Sequence, residues 1–323
     1  TGYTFAGYYD TSATSGGTQY YTSAMVSART WNKVENTTLY ARWTAKTYTV
    51  TRNGNGGSSL GNLTVTYNAS YNLGTPTRTG YTFNGWFTAT SGGTQKATTG
   101  TWTTDGGATY YAQWTAKTYT VVRNGNGGSA LGDLTVTYDA AYNLGTPTRT
   151  GYTFNGWFTA TSGGTQKATT GTWTTDSGAT YYAQWTARTF TITFNANNGS
   201  GGPTNKTATY DSAMPTASPA PTRTGYTFAG YYDTSATSGG TQYYTSTMAS
   251  ARTWNKVENT TLYARWTART FTITFNANNG SGGPANKTAT YDSAMPTATP
   301  APTRTGYTFA GYYDTSATSG GTQ

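Results

Sequence analysis

Eight residues, Pro76-Thr77-Arg78-Thr79-Gly80-Tyr81-Thr82-Phe83, return unchanged at 147–154, 221–228 and 302–309, and the last five of them open the chain at 1–5. A chain with this property folds as a tandem array. Taking the glycine of each TGYTF as a marker, Gly2, Gly80, Gly151, Gly225 and Gly306 are separated by 78, 71, 74 and 81 residues. Solenoid repeats run roughly 20–50 residues, so each unit here is a small domain in its own right. The periodicity predicts a partial repeat at 1–44, complete repeats at 45–115, 116–186 and 187–267, and a second partial repeat at 268–323. Function is then to be sought in the array rather than in one pocket.

Residues 1–19 and 305–323 are identical, so both ends fall within a repeat. With no initiator Met, secretory leader, apolar spanning run or C-terminal anchor, the chain reads as a window onto something longer, with no membrane insertion inside the window. Thr makes up roughly a quarter of the residues, with 29 Tyr, 11 Phe and 10 Trp. Thr and aromatics favour strands, and the composition predicts an all-β extracellular chain. Hydrophobic residues are only 34% of the total, so each thin core must be built from large rings. With 0 Cys, no disulfide assists it, a pattern more common in bacterial surface proteins than in animal ones.

The net charge of +9 comes from 20 basic and 11 acidic residues spread evenly along the chain. Nucleic-acid binders cluster such charge on one face, so DNA and RNA are not expected partners. A basic pI of about 9.4 fits weak attraction to an anionic polysaccharide or cell-wall polymer.

Within a repeat the pattern has period two. Thr47-Tyr48-Thr49-Val50-Thr51 alternates as a half-buried strand, Asn53-Gly54-Asn55-Gly56-Gly57 breaks it with turn chemistry, and Leu63-Thr64-Val65-Thr66-Tyr67 returns. A short turn or single helical turn is expected at 68–73, then an extended stretch through Pro76. Tyr81 to Phe87 forms a third strand, in which a bulge at Gly85 keeps Tyr81, Phe83 and Trp86 on one face. A polar loop leads to the fourth strand, 109–114, and Trp114-Thr115-Ala116-Lys117 runs almost without linker into the next repeat.

These motifs, TVTRNGNGG or TITFNANNGSGG, then PTRTGYTFNGWF, SGGTQ and TYYAQWTA, resemble the Listeria-Bacteroides repeat, the module of internalin-like bacterial surface proteins. The resemblance covers the whole chain. It implies a mainly β array of small β-grasp-like domains joined end to end by very short linkers, acting as spacer or adhesive stalk in secreted or wall-attached proteins. The Trp expected after the bulge glycine is present at Trp86 and Trp157 but is Tyr8, Tyr231 and Tyr312 elsewhere. Those repeats are also longer, with 41 residues from Gly2 to Trp43 against 34 from Gly80 to Trp114.

Enzyme chemistry finds no support in these residues. With 0 His and 0 Cys, the commonest general base, the Ser-His and Cys-His nucleophiles and the usual transition-metal ligands are missing. No acidic pair recurs from repeat to repeat, and Glu35 and Glu258, both in WNKVEN, read as solvated loop charges. Asn53 to Gly61 has Ser59 where a dinucleotide-type glycine run needs Gly, and Asn195 to Ser200 has no carboxylate for calcium. No cofactor or metal is expected.

The alternating rings Tyr81, Phe83 and Trp86, with the closing tryptophans Trp43, Trp114, Trp185 and Trp266, are expected in the core. Tyr20, Tyr21 and Trp31, with Tyr243, Tyr244 and Trp254, flank the insertion of the longer repeats and are the candidates for an exposed contact surface, deletion of 243–250 being expected to leave the fold intact. The sequence predicts a structural, non-enzymatic extracellular array: a rigid stalk, adhesin shaft or fibre. Its alternatives are a multivalent carbohydrate- or wall-polymer-binding array and a self-associating filament subunit.

Overall fold

The computed structural model describes residues 1–323, and the chain has strands but no helix. It divides into two compact units, one of residues 1–125, 130–146 and 157–182, the other of 126–129, 147–156 and 183–323.

The first unit opens with β1 (Tyr3–Tyr9), β2 (Gln19–Thr22) and β3 (Tyr40–Ala45), in the order β2-β1-β3. A complete repeat follows: β4 (Thr47–Asn53), β5 (Asn62–Thr66), β6 (Ser70–Asn72), β7 (Tyr81–Phe87), β8 (Gln95–Lys96), β9 (Thr99–Thr101) and β10 (Ala108–Ala116). The alternation of β4 buries Val50, half-buries Tyr48 and leaves the threonines outside, as period two requires. Asn55 and Gly56, both at positive φ (46° and 87°), reverse the chain so that Tyr48 lies opposite Val65 and Val50 opposite Leu63.

The bulge expected at Gly85 forms. Gly85 lies opposite Gln113 while Phe83 lies opposite Trp114, so Asn84 is the extra residue. The main sheet has the order β5-β4-β10-β7-β8, with β10 parallel to β4 and antiparallel to β7. Two hairpins thus meet along a central parallel pair, which only a long crossover can connect.

In that crossover, of the two forms the sequence allowed at 68–73, the short turn is the one present. No helical turn forms at 68–73; Asn68 turns at positive φ (60°) and β6 pairs with β9 as a separate two-stranded sheet. Reciprocal backbone bonds, Asn68 N–H to the Trp102 carbonyl (2.7 Å) and Trp102 N–H to the Ala69 carbonyl (2.9 Å), lock it there. Val50, Val65, Tyr71, Leu73, Trp86, Trp102, Tyr110 and Ala112 make one core from both sheets.

The third repeat contains β11 (Thr118–Asn124), β12 (Leu134–Thr137), β13 (Ala141–Asn143), β14 (Tyr152–Phe158), β15 (Gln166–Lys167), β16 (Thr170–Thr172) and β17 (Ala179–Ala187). Its hairpin β11–β12, the parallel pair β11–β17 and the small β13–β16 sheet repeat the pattern of the second.

In the second unit, β18 (Thr189–Asn195), β19 (Lys206–Thr209), β20 (Tyr226–Tyr232), β21 (Gln242–Thr245) and β22 (Thr260–Ala268) form the sheet β19-β18-β22-β20-β21, and β23 (Thr270–Ile273) pairs with β24 (Lys287–Thr290). The fourth repeat has a different core, including Ile192, Met214, Phe228, Tyr231, Tyr243, Tyr244, Trp254 and Leu262. The two partial repeats lack part of this scaffold. Residues 1–45 have no counterpart of the β4–β5 hairpin, and 268–323 have none of the closing strand.

Candidate functional site: the joint between repeats

Lys117 is the single residue between β10, which closes the second repeat, and β11, which opens the third. Its N–H donates to the Gly80 carbonyl (2.9 Å) and its carbonyl accepts from Tyr138 N–H (2.9 Å). Backbone from both repeats therefore grips the one residue that could act as a hinge. Gly80 sits at φ +75° beneath the Tyr138 ring, where an added Cβ would come within 2.2 Å of the ring carbon. Only glycine allows both that conformation and that approach. Tyr81 then meets Tyr138 edge to face, with centroids 5.6 Å apart, and its hydroxyl donates to Asp139 (3.0 Å).

A carboxylate completes the clasp. Asp176 accepts from the Tyr119 hydroxyl, from Lys117 Nζ (3.2 Å) and from the Gly80 backbone. The Tyr119 and Lys117 bonds hold its carboxyl below the usual carboxylate range against some desolvation, while burial, then the bond to Asp176, pushes Tyr119 up to about 12.

The joint recurs with the same backbone bonds. Lys46 bridges Gly2 and Tyr67, Arg188 bridges Gly151 and Tyr210, and Arg269 bridges Gly225 and Tyr291. Ring pairs Tyr3–Tyr67, Tyr152–Tyr210 and Tyr226–Tyr291 lie at 5.3, 5.7 and 5.6 Å. Two chemical versions exist. In one, Lys46, Tyr48 and Asp105 repeat the Lys117, Tyr119 and Asp176 triad. In the other, Arg188 lies 5.2 Å from the Phe190 ring and Val257 stands in the place of the aspartate, so hydroxyl, amine and carboxylate are exchanged together.

At three of these joints, and once more in the last partial repeat, an arginine lies over the tyrosine of TGYTF. Arg78, Arg149, Arg223 and Arg304 lie 3.7–4.2 Å from the rings of Tyr81, Tyr152, Tyr226 and Tyr307. At the second-to-third joint Arg78, Phe83, Trp114, Lys117 and Asp176 line an open groove of about 400 Å³. The larger cavity, about 760 Å³ among Phe275, Met295, Tyr312 and neighbours, lies on the core side of the last partial repeat.

The residues expected as an exposed contact surface fall elsewhere. Tyr243, Tyr244 and Trp254 are fully buried in the fourth-repeat core, with the Tyr243 hydroxyl on Asn255 (2.6 Å) and that of Tyr244 on the Pro215 carbonyl (2.7 Å). The contact-surface expectation is corrected there: the insertion carries core, because the smaller Tyr231 in place of Trp leaves a volume that Tyr244 and Phe194 fill. In the first repeat Tyr20 is buried too, while Tyr21 and Trp31 are exposed (40% and 56%).

Of the expected core, Trp86 is fully buried, and Tyr81, Phe83, Trp114, Trp185 and Trp266 are half-buried. Trp43 is 57% exposed, since residues 1–45 do not include a hairpin loop of the kind that covers Trp114. There, Trp114 packs on Gly57 and donates Nε1–H to the Gly54 carbonyl (3.0 Å). The Asn-rich turns satisfy themselves, with Asn55 Nδ2 on the Ala112 and Thr90 carbonyls and Asn197 Nδ2 on Ala264 and Ser235. Sequence reasoning missed Trp102 and Trp173, both fully buried.

The model of the Listeria-Bacteroides repeat domain matches residues 48–113, 119–184, 190–265 and 271–323. Two proteins of Evansella cellulosilytica are similar. One, named as a membrane protein, is 27% identical over 85% of this chain and 40% of its own length; the other, named as a Gly-rich membrane protein, is 28% identical over 86% and 31%. Internalin H of Listeria monocytogenes is 38% identical over 38% of this chain and 20% of its own length. The chain thus spans two fifths or less of the curated relatives it matches. Four tandem matches, set on a recurring all-β sheet and a recurring joint, make this chain a member of the Listeria-Bacteroides repeat domain family.

Proposed function

We propose that the chain is a structural, non-enzymatic shaft of a bacterial surface protein, an adhesin stalk or fibre that holds other parts of the molecule away from the cell. Its complete repeats are 45–115, 116–186 and 187–267. The grip on the single linking residue, Lys117 N–H on Gly80 and Lys117 carbonyl on Tyr138, carries this reading, because it removes the freedom a flexible tether needs. The family of tandem surface-type repeats, an internalin among the relatives and relatives named as membrane proteins support an extracellular or cell-surface location.

Residual dipolar couplings test it. Amides on the two sides of Lys117 are expected to fit one common alignment tensor. Two tensors of different magnitude would mean that the repeats reorient independently, and the shaft reading would fall.

A further inference from the structure

The arginines of this chain sort into three kinds, one of which, Arg29, Arg188, Arg252 and Arg269, lies more loosely over its rings at 5.2–5.5 Å. Arg52 and Arg123 are consumed by the fold, each giving its guanidinium to three backbone carbonyls. Arg42 and Arg265 likewise close loops, on Ala13 and Gly16 and on Ala236 and Gly239. The arginines of PTRTGYTF are different. The guanidinium groups of Arg78 and Arg223 make no hydrogen bond, and those of Arg149 and Arg304 make one long contact each, at 3.5 and 3.4 Å. All four ion pairs of the chain use lysine, so no carboxylate neutralises any of these arginines. Each is nevertheless held in place by its tyrosine.

A planar cation, oriented by stacking and left without an anion, is a receptor for an oxyanion, which a guanidinium binds through two parallel N–H donors. Around Arg78 the groove adds the half-buried rings of Phe83 and Trp114, apolar faces of the kind that the C–H face of a sugar covers, and the Lys117–Asp176 pair as donor and acceptor for hydroxyls. One such cation per repeat, on a chain of net charge +9, suits a long polymer with spaced anions.

We propose that the joint groove at Arg78, its counterparts at Arg149 and Arg223, and the same arginine–tyrosine pair at Arg304 are weak subsites, each receiving the oxyanion of one anionic sugar of an acidic polysaccharide. Affinity then comes from several joints engaging one polymer. This site is independent of the shaft reading, since a flexible array would bind the same polymer, and dipolar couplings decide the shaft separately.

The test is calorimetric titration of the whole chain at physiological ionic strength with polygalacturonate and with dextran sulfate, the two distinguishing carboxylate from sulfate ligands, beside neutral dextran and duplex DNA. Saturable binding of at least one acidic polysaccharide and none of dextran is expected. Replacing the four arginines by Gln lowers the charge from +9 to +5 and is expected to weaken binding about tenfold or more. A control with Arg29, Lys206, Arg252 and Lys287 changed to Gln has the same charge and should lose less than about threefold. The four Arg→Lys changes keep the charge but lose the planar, two-pronged donor and its stacking, so they should also weaken binding, and they serve if the Gln variant fails to fold. Equal loss in variant and control, wild-type binding by the Lys variant, tighter binding of DNA than of either polysaccharide, or no binding of either would each overturn the proposal.

Discussion

Trp102, Trp173 and Trp254 each stand twelve residues before a closing tryptophan, at 114, 185 and 266, and all three are fully buried. They sit in a Thr-rich stretch without alternation, so strand periodicity does not mark them; the constant spacing to the closing tryptophan does, once repeats of different length are aligned from their ends. Trp102 meets Tyr71 edge to face at 5.7 Å, and its indole N–H lies buried without an acceptor. Trp102→Ala is expected to cost the repeat about 3–5 kcal/mol, larger than Trp114→Ala, because Trp114 is only half-buried. Trp102→Phe should cost less than half as much as the alanine change, since it removes an unpaired donor with the volume. Urea denaturation of the 45–115 repeat measures all three, and a larger loss at Trp114 would contradict this ordering. At Gly80 the positive φ and the Tyr138 ring act together, and Gly80→Ala should destabilise the joint by at least about 1 kcal/mol, read as lost protection of the Lys117 amide in hydrogen exchange.

At the scale of elements, the two versions of the joint respond differently to acid. Asp105 and Asp176 are held below the usual carboxylate value of 3.8, first of all by the hydroxyls of Tyr48 and Tyr119. A lowered carboxylate pKa contributes stability that is complete above the ordinary value and is lost as pH falls through the lowered one. The protection factors of the Lys46 and Lys117 amides are therefore expected to drop in acid while that of Arg188, with Val257 in place of the aspartate, stays level. A parallel fall at all three would show that the carboxylates play no special part. The insertion in the fourth repeat makes a contrary prediction to its exposed appearance in sequence: deleting 243–250 should unfold the repeat, as seen by loss of near-ultraviolet circular dichroism, because Tyr243 and Tyr244 are core.

Alternation and Asn-Gly chemistry made β4, β5, β7 with its bulge, and β10 legible in sequence. The short strands β6, β8 and β9 were not, because two or three residues carry no period and are fixed by pairing alone. The joint was legible as a short linker. Its clasp was not, since Tyr138 and Asp176 reach Lys117 and Gly80 from positions far along the chain.

For the whole molecule, the proposed shaft requires that the joint transmit orientation from each repeat to the next. Every joint uses the same glycine, the same backbone bridge and the same pair of tyrosines, whichever charge chemistry accompanies them. A compact domain of this size is about 30 Å across by the scaling of radius with length. Small-angle scattering on arrays of two, four and six complete repeats tests the claim most directly. Maximum dimension is predicted to rise linearly, by about 30 Å or somewhat less for each added repeat; growth near the square root of repeat number would contradict a stiff shaft.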